Sequence, residues 1–369
     1  MSWLQYFMQP PRKFLDIQIG EIQGLGAIRR LESLYEQQRP KNVCTDDDVE
    51  ARFISGEVSD QLEARQKGHK RTRSSDAGGS EKYPSSYHHA SKQLLNKVNE
   101  HAKLVNAIRK LCVVPLASTC EVKQWMDDPI LSYFHKGDAD YKRALEQVMR
   151  ETCQLSFTDI SNIIDDTEPI WYARTPDHYF SRQDSLDIME DLISFQFKYD
   201  EDAINEFWQT LYNIMERKLP KMNSIYICGP PSAGKTYFSD AVLAYYMNVG
   251  HLGNFDKYTS FPLNDCVNRR VILWNEPSVC PSKWETVKMI TGGDVCPAAV
   301  KFQNNAAVTK TPLIITSNDY NMFDHEAFKD RVRKYHWQAC PMLKSCKRYL
   351  SPWAYHDIIM KRVINKEFE

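Results

Sequence analysis

None of the 10 cysteines in this 369-residue chain forms a C-x-x-C pair. The common zinc and dithiol patterns are therefore missing. The nearest approach to a metal set is His336, Cys340 and Cys346, whose spacing fits no common zinc pattern. Reduced, mostly buried thiols in an intracellular chain are the plain reading. No run approaches the ~20 apolar residues that a membrane span needs, so no membrane partner is expected. The opening residues, MSWLQYFMQPPRKF, lack the basic start and cleavable apolar stretch of a secretion signal. The net charge of −1 rules out bulk charge as a driver of nucleic-acid binding. A local basic patch or assembly would have to supply it.

What is present is mostly globular: 42% hydrophobic and 12% aromatic residues, in a chain long enough for two or three cored domains. The organising stretch is SIYICGPPSAGKT, Ser224 to Thr236. Ser224 to Cys228 reads as a buried strand, and a helix is expected from about Lys235 to Met247. Between them Gly229, Pro230, Pro231, Ser232, Ala233, Gly234, Lys235 and Thr236 fit the phosphate-loop pattern G-x-x-x-x-G-K-[ST]. The glycines let backbone N–H groups close on phosphate oxygens. Lys235 would reach the β and γ phosphates of ATP, and Thr236 would offer a hydroxyl to Mg²⁺. The N-terminal end of the helix would face the phosphates.

The surrounding chain divides by composition. Residues 1–40 read as a remnant of an N-terminal domain, and 41–92 as a disordered linker. Within that linker Lys67, Lys70, Arg71 and Arg73 form a candidate nuclear-import or nucleic-acid patch, with a solvated charge run as the alternative. Residues 93–200 read as a helical region. Leu94, Val98, His101, Val105, Ile108 and Cys112 lie on one stripe there. Short helices follow near Val122–Met126 and Tyr141–Cys153. Asp184 or Ser185 is the expected cap of the next helix, whose face carries Leu186, Met189, Ile193 and Phe197. Residues 201–340 read as an α/β nucleotide core. Its first helix runs Glu201 to Lys218, and strands are expected at Arg270–Trp274 and Pro312–Thr316. A helix is expected over Ser282–Thr291 between them, and Phe328–Trp337 mixes a helix end with a strand. Continuous apolar strands separated by helices argue for a parallel sheet covered on both faces. Residues 341–369 form a C-terminal helical tail, with its helix at Ala354–Ile364.

Three stretches add chemistry to the loop. VILWNEP places Glu276 where a carboxylate can polarise the water attacking the γ-phosphate. In it Asn275 takes the place where many such enzymes carry the acid that orders Mg²⁺ through water. PLIITSN ends a strand with Asn318, an amide able to contact both phosphate and water. FKDRVRKYHW supplies Arg331 and Arg333, either of which could serve as an arginine finger.

With GPPSAGKT, FPLNDCVNRRVILWNEP, MITGGD, KTPLIITSN and KDRVRKYHW in that order, the chain resembles the superfamily 3 helicases. Among them it is most similar to parvovirus non-structural replication proteins of the insect densovirus type. The match runs from about Ile204 to Trp337. The resemblance implies an AAA+ phosphate-loop core preceded by a helical oligomerisation region. It implies a DNA helicase moving 3′ to 5′, a homo-oligomeric ring of hexameric form on single-stranded or unwinding double-stranded DNA, and a nuclear location in the host cell. Carried across, it assigns Glu276 as general base, Asn318 as sensor and Arg331 as finger. It also implies a channel hairpin between Gly293 and Thr311, whose first DNA-gripping lysine is Lys301. Gln303 departs from that pattern, with Lys310 a candidate compensator, and Asn275 departs from the usual acid. Relatives begin with a nicking endonuclease that needs H-x-H, two imidazoles on one strand face. The chain has no H-x-H. His88 and His89 are adjacent, and Tyr6 with Arg12 and Lys13 reads at most as the end of that domain. A helicase without a working nuclease is therefore expected. A non-catalytic virus-derived relic or regulator, and a small-molecule kinase, are the alternatives.

Overall fold

The computed structural model describes residues 85–172, 175–300 and 303–365. The remnant assigned to 1–40, the basic cluster from Lys67 to Arg73, and Lys301 all lie outside the described residues. Within the compact unit Ser86–Glu369, the chain runs α1 (Ser85–Leu111), α2 (Lys123–Met126), α3 (Ala139–Thr152), α4 (Phe157–Asp166), α5 (Arg182–Gln196) and α6 (Glu201–Met215). It continues β1 (Ser224–Cys228), α7 (Lys235–Tyr245), β2 (Val249–His251), β3 (Val271–Asn275) and α8 (Trp284–Gly292). The last elements are β4 (Cys296–Val300), β5 (Gln303–Val308), β6 (Leu313–Ser317), β7 (Val332–His336) and α9 (Trp353–Ile359).

Five strands form one parallel sheet in the order β2-β3-β6-β1-β7. The sequence β1 sits inside the sheet, next to β6, so its C-terminal end opens between two neighbours rather than at an edge. Both faces of β1 are buried, as its unbroken β-branched and aromatic run requires. Tyr226, Ile272, Trp274, Leu313 and Ile315 point to one face and pack with Val287 and Ile290 of α8. Ile225, Ile227 and Ile314 fill the other face, where α6, α7 and α9 lie. This is the phosphate-loop AAA+ arrangement that the resemblance implies. The pair β4–β5 stands apart as an antiparallel hairpin, within the expected interval Gly293–Thr311.

Helices α1 to α3 build a separate core from Leu104, Val105, Ile108, Trp125, Tyr141 and Val148. Here two expectations change. Val98 is 55% exposed while Val105 and Ile108 are buried, and Cys112 falls beyond the helix with φ 44°. The cap of helix α5 lies three residues before Asp184, the earlier of the two expected caps. Ser181 supplies the cap, its side chain accepting from the Asp184 backbone N–H. Helix α4, capped by a reciprocal Ser156–Asp159 box, and the three-residue strand β2 had no counterpart in the sequence reading. The C-terminal helix is α-helical only to Ile359 and continues as a π turn over Met360–Ile364.

One buried cation ties these layers together. Arg270, 1% exposed, donates to the carbonyls of Leu155 (2.6 Å) and Met215 (2.6 Å) and to the Glu216 carboxylate. Its guanidinium also lies over the Tyr246 ring, 4.5 Å from the centroid. Glu216 in turn accepts from the Phe157 backbone N–H at 2.9 Å. Removing one partner of such a pair leaves an uncompensated buried charge. Glu216→Ala should therefore lower unfolding free energy by about 3–5 kcal/mol in urea titrations. A loss below about 1 kcal/mol would mean that the carbonyls alone hold Arg270.

Candidate active site

The phosphate loop leaves β1 at Gly229, whose N–H donates to the Ser317 carbonyl at 3.1 Å. A Cβ at Gly229 would sit 2.4 Å from the Trp337 carbonyl oxygen, so the close passage of β7 excludes any side chain. Pro230, Pro231, Ser232 and Ala233 cross to Gly234, with left-handed backbone at Ser232 (φ 63°) and Gly234 (φ 90°). Left-handed residues inside a tight turn are how successive N–H groups come to form an anion-binding concavity. Gly234 is also the N-cap of α7, so the positive end of that helix adjoins the turn. Thr236 is exposed on the first turn of α7.

Lys235 is 8% exposed rather than solvent-facing. Its ammonium donates to the carbonyls of Gly229 (2.6 Å) and Pro230 (3.1 Å) and to Asn318 Oδ1 (3.0 Å). Burial pulls it below the usual lysine range, and the negative charge of Glu276 offsets part of that. On the other side of the same amide, Asn318 Nδ2 donates to Glu276 Oε1 at 3.0 Å. Glu276 Oε2 accepts from the Asn318 backbone N–H (3.2 Å) and from the Ser317 hydroxyl (3.1 Å). The Glu276 N–H donates to the Thr316 carbonyl (2.8 Å), and its φ is 46°. Three residues singled out separately in sequence thus form one relay. The cation on one side and the carboxylate on the other fix which way the Asn318 amide faces.

The donor set suits a magnesium nucleotide: an ammonium, two glycine turns, a hydroxyl on the first helical turn, and a carboxylate held by three hydrogen bonds. Asn275 contributes differently from expectation. Its Oδ1 accepts from the Thr316 hydroxyl at 2.8 Å, which occupies one of its two lone-pair directions.

Gln196, at the end of α5, was not singled out in sequence. Its Nε2 donates to the Ala233 carbonyl (3.0 Å) inside the phosphate loop and to the Gln338 carbonyl (2.8 Å). Its Oε1 accepts from the Gln338 N–H (2.7 Å). The available signal was a polar residue continuing the apolar stripe of Met189 and Ile193, where a buried amide must find partners. Gln196→Ala removes these ties without touching the Lys235–Asn318–Glu276 relay. We expect nucleotide affinity to fall about tenfold, by titration with a fluorescent ATP analogue, on the scale of one to two buried hydrogen bonds. An unchanged dissociation constant would show that the loop keeps its shape unaided.

Arg331 precedes β7, and its carbonyl accepts from the N–H groups of Asn223 and Ser224 (3.2 Å each). It therefore lies at the N-terminal end of β1, with the phosphate loop at the other end. Its Nη1 donates to the Ala327 carbonyl, and its side chain lies against Gly292. Arg333 sits within β7 and pairs with Glu206 of α6 at 2.6 Å. Lys310, the candidate compensator, is engaged within the chain. Its ammonium donates to the carbonyls of Arg217 (3.3 Å), Leu219 (2.5 Å) and Pro220 (3.4 Å), satisfying the turn after α6. His336, Cys340 and Cys346 do not converge. The His336 ring faces Cys228 Sγ (3.3 Å) and stacks on Tyr320, and Cys346 Sγ contacts the Met342 carbonyl.

Comparison with known proteins follows the same geography. Residues 167–323 match the family described as parvovirus non-structural protein NS1. The initiator protein NS1 of Bombyx mori densovirus is 42% identical over 207 residues, which is 53% of this chain and 23% of that protein. The initiator protein NS1 of Junonia coenia densovirus is 34% identical over 319 residues, 83% of this chain and 58% of that protein. The chain thus spans less than two thirds of the length of these relatives. A solved JCV helicase structure aligns with a TM-score of 0.46 at 14% identity, over 65% of this chain and 71% of that one.

Proposed function

We propose that this chain, whose residues 167–323 match the parvovirus non-structural protein NS1 family and which is similar to the initiator proteins of insect densoviruses, is a superfamily 3 helicase that hydrolyses ATP to separate DNA strands. The observation that carries this reading is the Lys235–Asn318–Glu276 relay. It joins a phosphate-binding cation to a carboxylate through an amide, within one hydrogen-bonded unit. In this reading the loop from Gly229 to Thr236 cradles the phosphates. Lys235 stabilises charge on the β and γ oxygens, and Glu276 holds and polarises the attacking water while Asn318 orients both. Mg²⁺, when bound, neutralises phosphate charge. Thr236 would hold it, with Glu276 and Asn275 acting through water.

Strand separation would use copies of the chain assembled as a ring, with the β4–β5 hairpin reaching the DNA through Lys301 and travel running 3′ to 5′. The test is steady-state ATP hydrolysis with and without single-stranded DNA. DNA-stimulated turnover supports the helicase. Turnover indifferent to DNA points to a small-molecule kinase or another phosphate-loop enzyme. No turnover, with DNA or partner binding retained, points to a non-catalytic regulator.

A further inference from the structure

Glu276 is tied to the end of β6 by a residue that the sequence reading passed over. Ser317 closes β6 and is 2% exposed. It makes hydrogen bonds toward three different parts of the site. Its carbonyl accepts from the Gly229 N–H at 3.1 Å, where the phosphate loop begins. Its hydroxyl oxygen accepts from the Asp319 N–H at 3.1 Å. The Asp319 carbonyl in turn accepts from the Tyr226 hydroxyl, which anchors that backbone to β1. The same Ser317 hydroxyl lies 3.1 Å from Glu276 Oε2. An N–H can only donate and a carboxylate can only accept, so the Ser317 proton points at Glu276. The direction of this bond is therefore fixed by the backbone rather than left to a freely turning hydroxyl.

The two oxygens of the Glu276 carboxylate are thereby made unequal. Oε2 receives both the Ser317 hydroxyl and the Asn318 N–H, which fills the roughly two lone-pair directions that each carboxylate oxygen offers. Oε1 receives Asn318 Nδ2 at 3.0 Å. The other end of that amide meets Lys235, so Oε1 lies on the side of the phosphate-binding cation and Oε2 on the side of β6. Resting on the hydrolase reading above, we propose that Ser317 is a positioning residue for hydrolysis. It pins Oε2 to β6 and so presents Oε1 as the oxygen that acts as base. In that step the water oxygen bonds to the γ-phosphorus and a water proton moves to Oε1. The bond from the γ-phosphorus to the bridging oxygen breaks, and its electron pair leaves with ADP. Without the hydroxyl the carboxylate turns about its last, broad torsion and spends less time in the working orientation.

The experiment compares Ser317→Ala with the parent and repeats the comparison in the Glu276→Gln background. Alanine keeps the backbone carbonyl, so the tie to Gly229 remains. Steady-state ATP hydrolysis at saturating single-stranded DNA should show kcat about tenfold lower, the scale of one hydrogen bond to a charged group. KM and the dissociation constant of a fluorescent ATP analogue should stay within about twofold, whereas a merely structural role would move them. In the Glu276→Gln background the same substitution should cost less than about twofold, because the base it positions is gone. A readout without nucleotide comes from urea unfolding, where the stability losses of Ser317→Ala and Glu276→Ala should be less than additive. An unchanged kcat, an equal loss in both backgrounds, additive unfolding losses, or weakened nucleotide affinity with kcat retained overturns the proposal. If the parent shows no turnover, or Glu276→Gln turns over normally, the hydrolase reading falls and the role of Ser317 with it. If Glu276→Gln is slow and Ser317→Ala is normal, only the role of Ser317 falls.

Discussion

Arg331→Ala is expected to lower ATP hydrolysis about 10³-fold while leaving ATP affinity and assembly intact, the signature of a finger that stabilises transferring phosphate. The geometry gives a reason for action in trans. Arg331 borders the start of β1 and the phosphate loop borders its end, so five residues at ~3.3 Å each, roughly 16 Å, separate them along the sheet. An arginine side chain cannot span that within its own subunit. It contacts Gly292 and the Ala327 carbonyl instead, and no acidic partner is recorded for it among the described residues. Mixing Arg331→Ala with Lys235→Ala, itself inactive, should restore part of the activity. Some interfaces would then pair an intact loop with an intact finger. Rings that co-assemble yet stay inactive would refute the trans role. Arg333→Ala should be milder, because Arg333 is paired with Glu206 of its own chain. If it proves the more damaging of the two, the finger is Arg333.

Glu276→Gln should keep ATP binding and slow hydrolysis at least ~100-fold, the scale of a positioned general base. The hydrogen-bond relay adds a second consequence. Glutamine can still accept from the Asn318 backbone N–H with its oxygen, but its amide nitrogen then meets Asn318 Nδ2, donor against donor. Relief comes from turning the Asn318 amide, which withdraws Oδ1 from Lys235. The variant should thus also lose the Lys235–Asn318 contact. Asn318→Ala in the Glu276→Gln background should cost much less than in the parent, a coupling that a double-mutant cycle measures directly. Normal turnover by Glu276→Gln would place the base elsewhere.

The parts legible in sequence were those whose signal is local. SIYIC reads as a strand because Ile225, Tyr226 and Ile227 form a β-branched and aromatic run, and β1 covers that run with Ser224 and Cys228 at its ends. The apolar face of α6, from Ile204 to Met215, was visible for the same reason. What escaped depends on partners distant in sequence. The three residues of β2 are too few to show a period, and Gly250 is there because the Asp265 carbonyl passes 2.3 Å from where its Cβ would be. Lys310 looks like any surface lysine until the 217–220 turn is folded against it. Gln196 likewise depends on a segment more than 100 residues downstream, at Gln338. The relay members were identified one by one, but their joining through Asn318 was a matter of β3 and β6 lying side by side.

The backbone at Glu276 bears on whether this chain is a retired enzyme. With φ at 46°, glutamate occupies a conformation that glycine and asparagine adopt more readily. Holding an ill-suited residue in such a position costs of order 1–3 kcal/mol. In a copy released from catalysis, mutation toward Gly or Asn would meet no opposition and would gain stability at once, so the glutamate should be among the first residues to drift. The substitution that improves the fold is the one that deletes the base. Keeping Glu in so ill-suited a conformation is what the hydrolase reading proposed above expects and what the regulator reading does not require.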